Sequence, residues 1–216
     1  MIKLSEFETR LSPPIQKIFR KLNSPIAIQA YLDSIPYIAE ELDRSPLQVI
    51  TDRQGHCLDG AIFATLALVR LGHRPLIMDL VPEPGADDDH VLALFKHNNH
   101  WGSIAKSNYA FLRFREPVYR SLRELAMSYF EPYTNNEKQK TLRGYTRPLD
   151  LSAFDPDWIW SEVRISDISK RLYRLKPIPL ISKVDSKILS LADDRFYQAN
   201  TLGTNFSWIY GVRDNP

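Results

Sequence analysis

Gly55-His56-Cys57-Leu58-Asp59-Gly60-Ala61-Ile62-Phe63-Ala64-Thr65-Leu66-Ala67-Leu68-Val69-Arg70-Leu71-Gly72 brings the chain's single cysteine to the start of its most apolar run. The pattern predicts a helix over 57–71, closed by Gly72, since glycine adopts the left-handed conformation of a helix C-terminus without steric cost. Apolar side chains cover every face of this helix, so it is expected to be central and buried, with strands packed around it. At the first helical position the N–H groups are unpaired and the helix dipole is positive. A sulfur there is stabilised as an anion, which makes Cys57 a candidate nucleophile.

Upstream, prolines break the first fifty residues into short predicted helices: 14–22, 25–32, 36–42 and from 46 onward. Ser24-Pro25 and Ser45-Pro46 read as an N-cap followed by the first helical residue. Downstream, 75–81 is an apolar run of strand length, and after the acidic loop 83–89 a second strand is expected from His90 to Lys96. Asn98-Asn99 suits a two-residue hairpin turn, pairing 97 with 100 and 96 with 101, with a returning strand over 101–109. A further run, 111–114, would extend the sheet. Helical spacing in 117–130 predicts a packing helix with an exposed Arg120–Glu124 pair, and two more helices are expected at 166–175 and 186–197.

A thiol nucleophile needs a base, and His90, at the head of a strand, is the candidate. The antiparallel count from the 98–99 turn sets His90 opposite Ser107, so the group orienting the imidazole is sought among Lys106, Ser107 and Asn108.

The Gly55–Ala61 stretch, the helix end Leu68-Val69-Arg70-Leu71-Gly72, the strand from Pro75 to Leu80, and His90 on a strand followed by Trp101 together resemble the core of the transglutaminase-like superfamily of papain-like cysteine enzymes. The chain is also similar to uncharacterised bacterial proteins sharing its His-Cys-x-x-Gly-Ala and Asp-Asp-Asp-His stretches. The resemblance covers about residues 45–110. It implies an α+β fold in which a central helix carries the cysteine against an antiparallel sheet, with Cys57 as nucleophile and His90 as base. The family's aspartate on the next strand has no counterpart, because Trp101-Gly102-Ser103-Ile104-Ala105-Lys106-Ser107-Asn108 contains no acid. Ser107 or Asn108 would take its place, and neither stabilises an imidazolium as a carboxylate does.

The expected organisation is a single domain over 1–216, with a core at 45–115, a helical lead-in at 1–44 and a helical or irregular extension at 116–216. Acyl transfer or hydrolysis at an amide of a peptide or protein substrate is the leading reading, with backbone N–H groups holding the oxyanion and Gln54 a candidate contributor. The alternative is a degenerate fold that binds a peptide or protein without catalysis. Asp59 and Gly60 are expected to serve capping and close packing of the helix start.

The 28 basic and 26 acidic residues are spread along the chain, which gives no electrostatic reason to expect nucleic acid or a membrane surface as partner. One cysteine excludes an intramolecular disulfide, no apolar run reaches membrane-spanning length, and the first residues lack a signal-peptide pattern. A cytoplasmic setting follows. Nothing implies a cofactor. A metal site drawn from His56, Cys57, Asp87, Asp88, Asp89 and His90 lacks compact ligand spacing. The aromatic C-terminal residues Trp158, Trp160, Phe206 and Trp208 are expected mainly in the core.

Overall fold

A computed structural model describes residues 2–40 and 42–210 of the 216-residue chain. Three short helices, α1 (Leu4–Arg10), α2 (Pro13–Lys21) and α3 (Pro25–Asp33), open it. The Ser45–Gln48 capping box starts α4 (Pro46–Gln48), which runs on as a π-turn over Val49–Arg53. Then comes α5 (Cys57–Arg70). Its C-terminus is a Schellman turn: Gly72 at φ +87° donates to Val69 O, and His73 N–H donates to Leu68 O.

The sheet follows: β1 (Leu76–Pro82), β2 (His90–His97), β3 (His100–Ile104) and β4 (Arg115–Tyr119), then α6 (Leu122–Met127), β5 (Leu142–Tyr145) and β6 (Leu149–Asp150). The chain closes with α7 (Glu162–Leu172), β7 (Ile178–Pro179) and α8 (Asp194–Asn200). The pairings between these strands are antiparallel, in the order β4-β3-β2-β1-β5-β7, with β6 also on β1. This is an α+β fold in which the helix carrying Cys57 packs on an antiparallel sheet.

Side chains alternate across the sheet and divide the interior in two. Ile77, Val91, Ala93 and Phe95 face α5 in one core, together with Cys57, Phe7, Phe19 and Trp158. Met78, Leu80, Leu92 and Leu94 face the other way, against Leu125, Tyr129, Tyr133 and Leu142. Residues 142–145 lie beside β1, so the stretch beyond 140 contributes to the same sheet.

The hairpin matches its expected register, with His97 opposite His100, Lys96 opposite Trp101, and Asn98 and Asn99 at φ +47° and +63°. Five expectations need correction. Residues 36–42 contain no helix among those described; Tyr37 bridges Gly55, and Ile38 N–H donates to Gly55 O. The returning strand stops at Ile104, because Gln29 engages both backbone groups of Ala105. The 111–114 run lies in turns and bends, and 117–130 divides into the edge strand β4 and the short α6, where Glu124 accepts from the Arg120 N–H instead of pairing with its side chain. The last expected helix, 186–197, resolves into a 3-10 turn at Asp185–Ile188 and α8.

Candidate active site around Cys57

Asp59, the third residue of α5, organises the approach to Cys57. Its carboxylate accepts from the Arg44 N–H (2.7 Å) and the His56 N–H (3.0 Å), tying the preceding loop to the first helical turn. The buried Arg44 guanidinium stands 3.6 Å from the same carboxylate and also bonds Glu40. Gly60 is required for a different reason. A Cβ there would fall 2.2 Å from Lys106 Cβ, so only glycine lets the segment after β3 cross the first turn of α5.

That crossing parts β3 from β2, and the Cys57 sulfur occupies the gap. Pairing between the two strands ends at Ala93–Ile104. In an antiparallel strand the carbonyl of residue 89 and the N–H of residue 91 point to the same side. The thiol donates to Asp89 O (3.8 Å) and accepts from the Val91 N–H, replacing a strand partner. Cys57 is 9% exposed. Burial pushes its thiol well above the usual range, and Asp89, Asp88 and Asp79 add to the effect against the opposing Val91 N–H.

His90 stands between those two backbone groups, but its ring belongs to the other core. The imidazole lies edge-on to Tyr129 and Tyr133, each with centroids 6.4 Å away. Its Nε2 bonds Leu112 O at 2.7 Å. A carbonyl can only accept, so Nε2 carries the hydrogen and, in the neutral ring, Nδ1 is the acceptor. Burial holds this imidazole down to about 4, with Arg115 adding and the Leu112 carbonyl opposing. Among the described residues no hydrogen bond joins the ring to the Cys57 sulfur.

Ser107 and Asn108 do not orient the ring. The count that set Ser107 opposite His90 stops three residues short of it, because pairing ends at Ala93–Ile104. Ser107 Oγ accepts from the Tyr109 N–H at 3.0 Å, and the Asn108 side chain holds the backbone of Asn205. The orienting group is the Leu112 carbonyl, a backbone atom with no side-chain signature to find in the sequence. Lys106 is buried, its Nζ donating to Leu32 O and Ile35 O at the end of α3, and burial lowers it to about 8 against the attraction of Asp33.

Two carboxyls also stand near the sulfur: Asp79, which the sequence did not single out, and Asp89, which it offered only as a metal ligand. Asp79 shares the parity of Ile77 and Asp89 that of Val91, so both belong to the α5 side of the sheet. Both are pushed upward, first by burial, then by Asp89 acting on Asp79 and by Asp88 acting on Asp89, while the Tyr173 hydroxyl opposes the shift at Asp89. Asp79 Oδ1 and Asp89 Oδ2 are buried without a hydrogen-bond partner in the described structure. The ligand-type atoms that cluster within 4.8 Å are those of Asp43, His56 and Asp59, a different set from the one read in the sequence, and Asp59 is already engaged by two backbone N–H groups.

No helix among the described residues is long and apolar enough to cross a membrane. No protein-family model matches the sequence, and no curated protein matches it. Among solved structures the chain is similar to Legionella pneumophila LapG, at 13% identity and a TM-score of 0.38, over 53% of this chain and 76% of that one. It is also similar to an EGTA-treated form of LapG, at 11% identity and a TM-score of 0.43, over 80% and 98% of the two chains.

Proposed function

We propose that this chain is a transglutaminase-like thiol enzyme acting on an amide of a peptide or protein, with Cys57 as nucleophile and His90 as base. One observation carries the reading: the sulfur at the first turn of α5 sits in the gap between β2 and β3, against the backbone on both sides of His90. As sulfur adds to the amide carbon, the thiol proton passes to His90 Nδ1. The C–N bond breaks, the leaving amine takes that proton, and the thioester passes its acyl group to water or to a second amine. Backbone N–H groups at the start of α5 hold the oxyanion. The Leu112 carbonyl fixes the ring tautomer that leaves Nδ1 free. A neutral thiol and a neutral imidazole make His90 a general base rather than half of a resting ion pair. The reading treats the chain as one unit in a reducing, cytoplasmic setting, supported by the shared sheet and the single cysteine.

A non-catalytic peptide-binding role is the second reading, and the raised thiol together with the lowered imidazole favours it. The test is turnover of glutamine-containing proteins and fluorogenic peptides by wild type, Cys57→Ala and His90→Ala. The enzyme reading expects Cys57→Ala to abolish turnover and His90→Ala to reduce it by roughly 10²–10⁴-fold. Turnover that survives Cys57→Ala overturns it, and an inert wild type leaves the binding role.

A further inference from the structure

The segment from Asn200 to Tyr210 lies along the chain that follows β3. Ala110 N–H donates to Asn200 O at 2.7 Å, and Phe111 N–H donates to Asn200 Oδ1 at 3.1 Å. Further on, the Thr204 hydroxyl donates to Asn108 O at 2.7 Å. The Asn108 side chain then grips both main-chain groups of one residue: its Nδ2 donates to Asn205 O (2.9 Å) and its Oδ1 accepts from the Asn205 N–H (3.0 Å). Past this clasp, Trp208, Ile209 and Tyr210 line a small cavity of about 40 Å³ together with His90, and Ile209 is 1% exposed.

A side-chain amide that satisfies the N–H and C=O of a single residue reads main chain and ignores the side chain attached to it. The two bonds from the Asn108 side chain to Asn205 are therefore those a peptide of any sequence could make, while the Thr204 bond asks for a hydroxyl one residue earlier. Beyond them the groove leads towards His90 and takes up apolar side chains. We propose that the cleft between the 107–112 segment and His90 is a binding groove for a peptide that makes one turn after the clasped position and sets apolar residues beyond it, and that 204–210, which turns in this way at Phe206–Trp208, occupies it as an intramolecular stand-in. The inference rests on the function proposed above for its meaning, since it makes Asn108 a main-chain clamp for the substrate of that site. Binding is nevertheless measurable without turnover.

An occupied groove lowers apparent affinity by the fraction of molecules in which it is open. The probe is a fluorescently labelled synthetic peptide, Leu-Gly-Thr-Asn-Phe-Ser-Trp-Ile-Tyr, copying 202–210. It is titrated by polarisation against full-length wild type, Ile209→Asp, and Ile209→Asp combined with Asn108→Ala. Ile209→Asp, which expels the strap, is expected to tighten binding by about tenfold or more, and Asn108→Ala to reverse most of that gain. If circular dichroism shows that Ile209→Asp has not folded, Asn205→Pro serves instead; it deletes the clasped N–H at a φ of −83° that proline tolerates. Folded strap variants that bind no tighter than wild type, or bind equally without Asn108, overturn the proposal. An enzyme inert on every amide that still passes this test removes the catalytic reading and keeps the groove.

Discussion

The two faces of the central sheet are built from different materials. On the α5 face, Ile77, Val91, Ala93 and Phe95 meet a helix buried along nearly its whole length, with carboxyls and one thiol pressed against the backbone. On the opposite face two buried tyrosines hold the packing through bonded hydroxyls: Tyr129 bonds Ser103 Oγ and Arg113 O, and Tyr133 bonds Leu80 O and Asp88 O. Cys57 belongs to the first face and the His90 ring to the second, and they meet only at the head of β2. Cys57 is thus positioned by helix packing and the His90 ring by an aromatic cage, so the two positions can be perturbed separately.

The largest effect is expected from Asp59→Ala, which strips the Arg44 and His56 N–H groups of their acceptor and leaves the Arg44 guanidinium buried without its carboxylate. It should cost about 3–5 kcal/mol in urea denaturation and leave the pH dependence arising from His90 intact. His90→Gln probes the other face. The unfolded chain takes up the imidazole proton near 6.5 and the folded chain only near 4, so stability contributed by this residue is lost as pH falls from about 6.5 towards 4. Removing the imidazole should flatten that fall by about 3 kcal/mol, read as unfolding midpoints between pH 7.5 and 4. An unchanged slope would mean that the ring is not buried neutral.

Gly60→Ala should destabilise by about 1–3 kcal/mol, because the new Cβ displaces Lys106 and forces the segment after β3 off the helix start. Faster alkylation of Cys57 should accompany it as the gap opens. Tyr129→Phe, on the aromatic face, loses one hydroxyl bonded to Ser103 Oγ and Arg113 O. A loss of about 1 kcal/mol is expected, with no change at Cys57. A larger alkylation change in Tyr129→Phe than in Gly60→Ala would break the separation of the two faces.

Much of this frame was legible in the sequence, for local reasons. The α5 helix follows from its apolar run and from Gly72, and the hairpin register follows from Asn98-Asn99, since both signals act within a few residues. The errors arise where a distant group decides. Residues 36–42 look helical until Gly55 takes the Ile38 N–H, and the returning strand looks long until Gln29, from α3, captures Ala105. The site divides in the same way. Cys57 and His90 stand out as residue types, whereas the atom that orients the ring is a backbone carbonyl, and Asp79 and Asp89 gain their interest only from a fold that buries them on one side of the sheet.

The central claim is that the Cys57 thiol rests protonated, wedged between Asp89 O and the Val91 N–H, while the His90 imidazole on the other face rests neutral. Its most direct test is the pH dependence of iodoacetamide alkylation at this sole cysteine, in wild type and His90→Gln. The account predicts slow labelling at pH 7, a rate that climbs only above the ordinary thiol range of about 8.5, and little change in the variant. Rapid labelling at pH 6 that collapses when His90 is replaced would contradict it and establish a thiolate–imidazolium pair in its place.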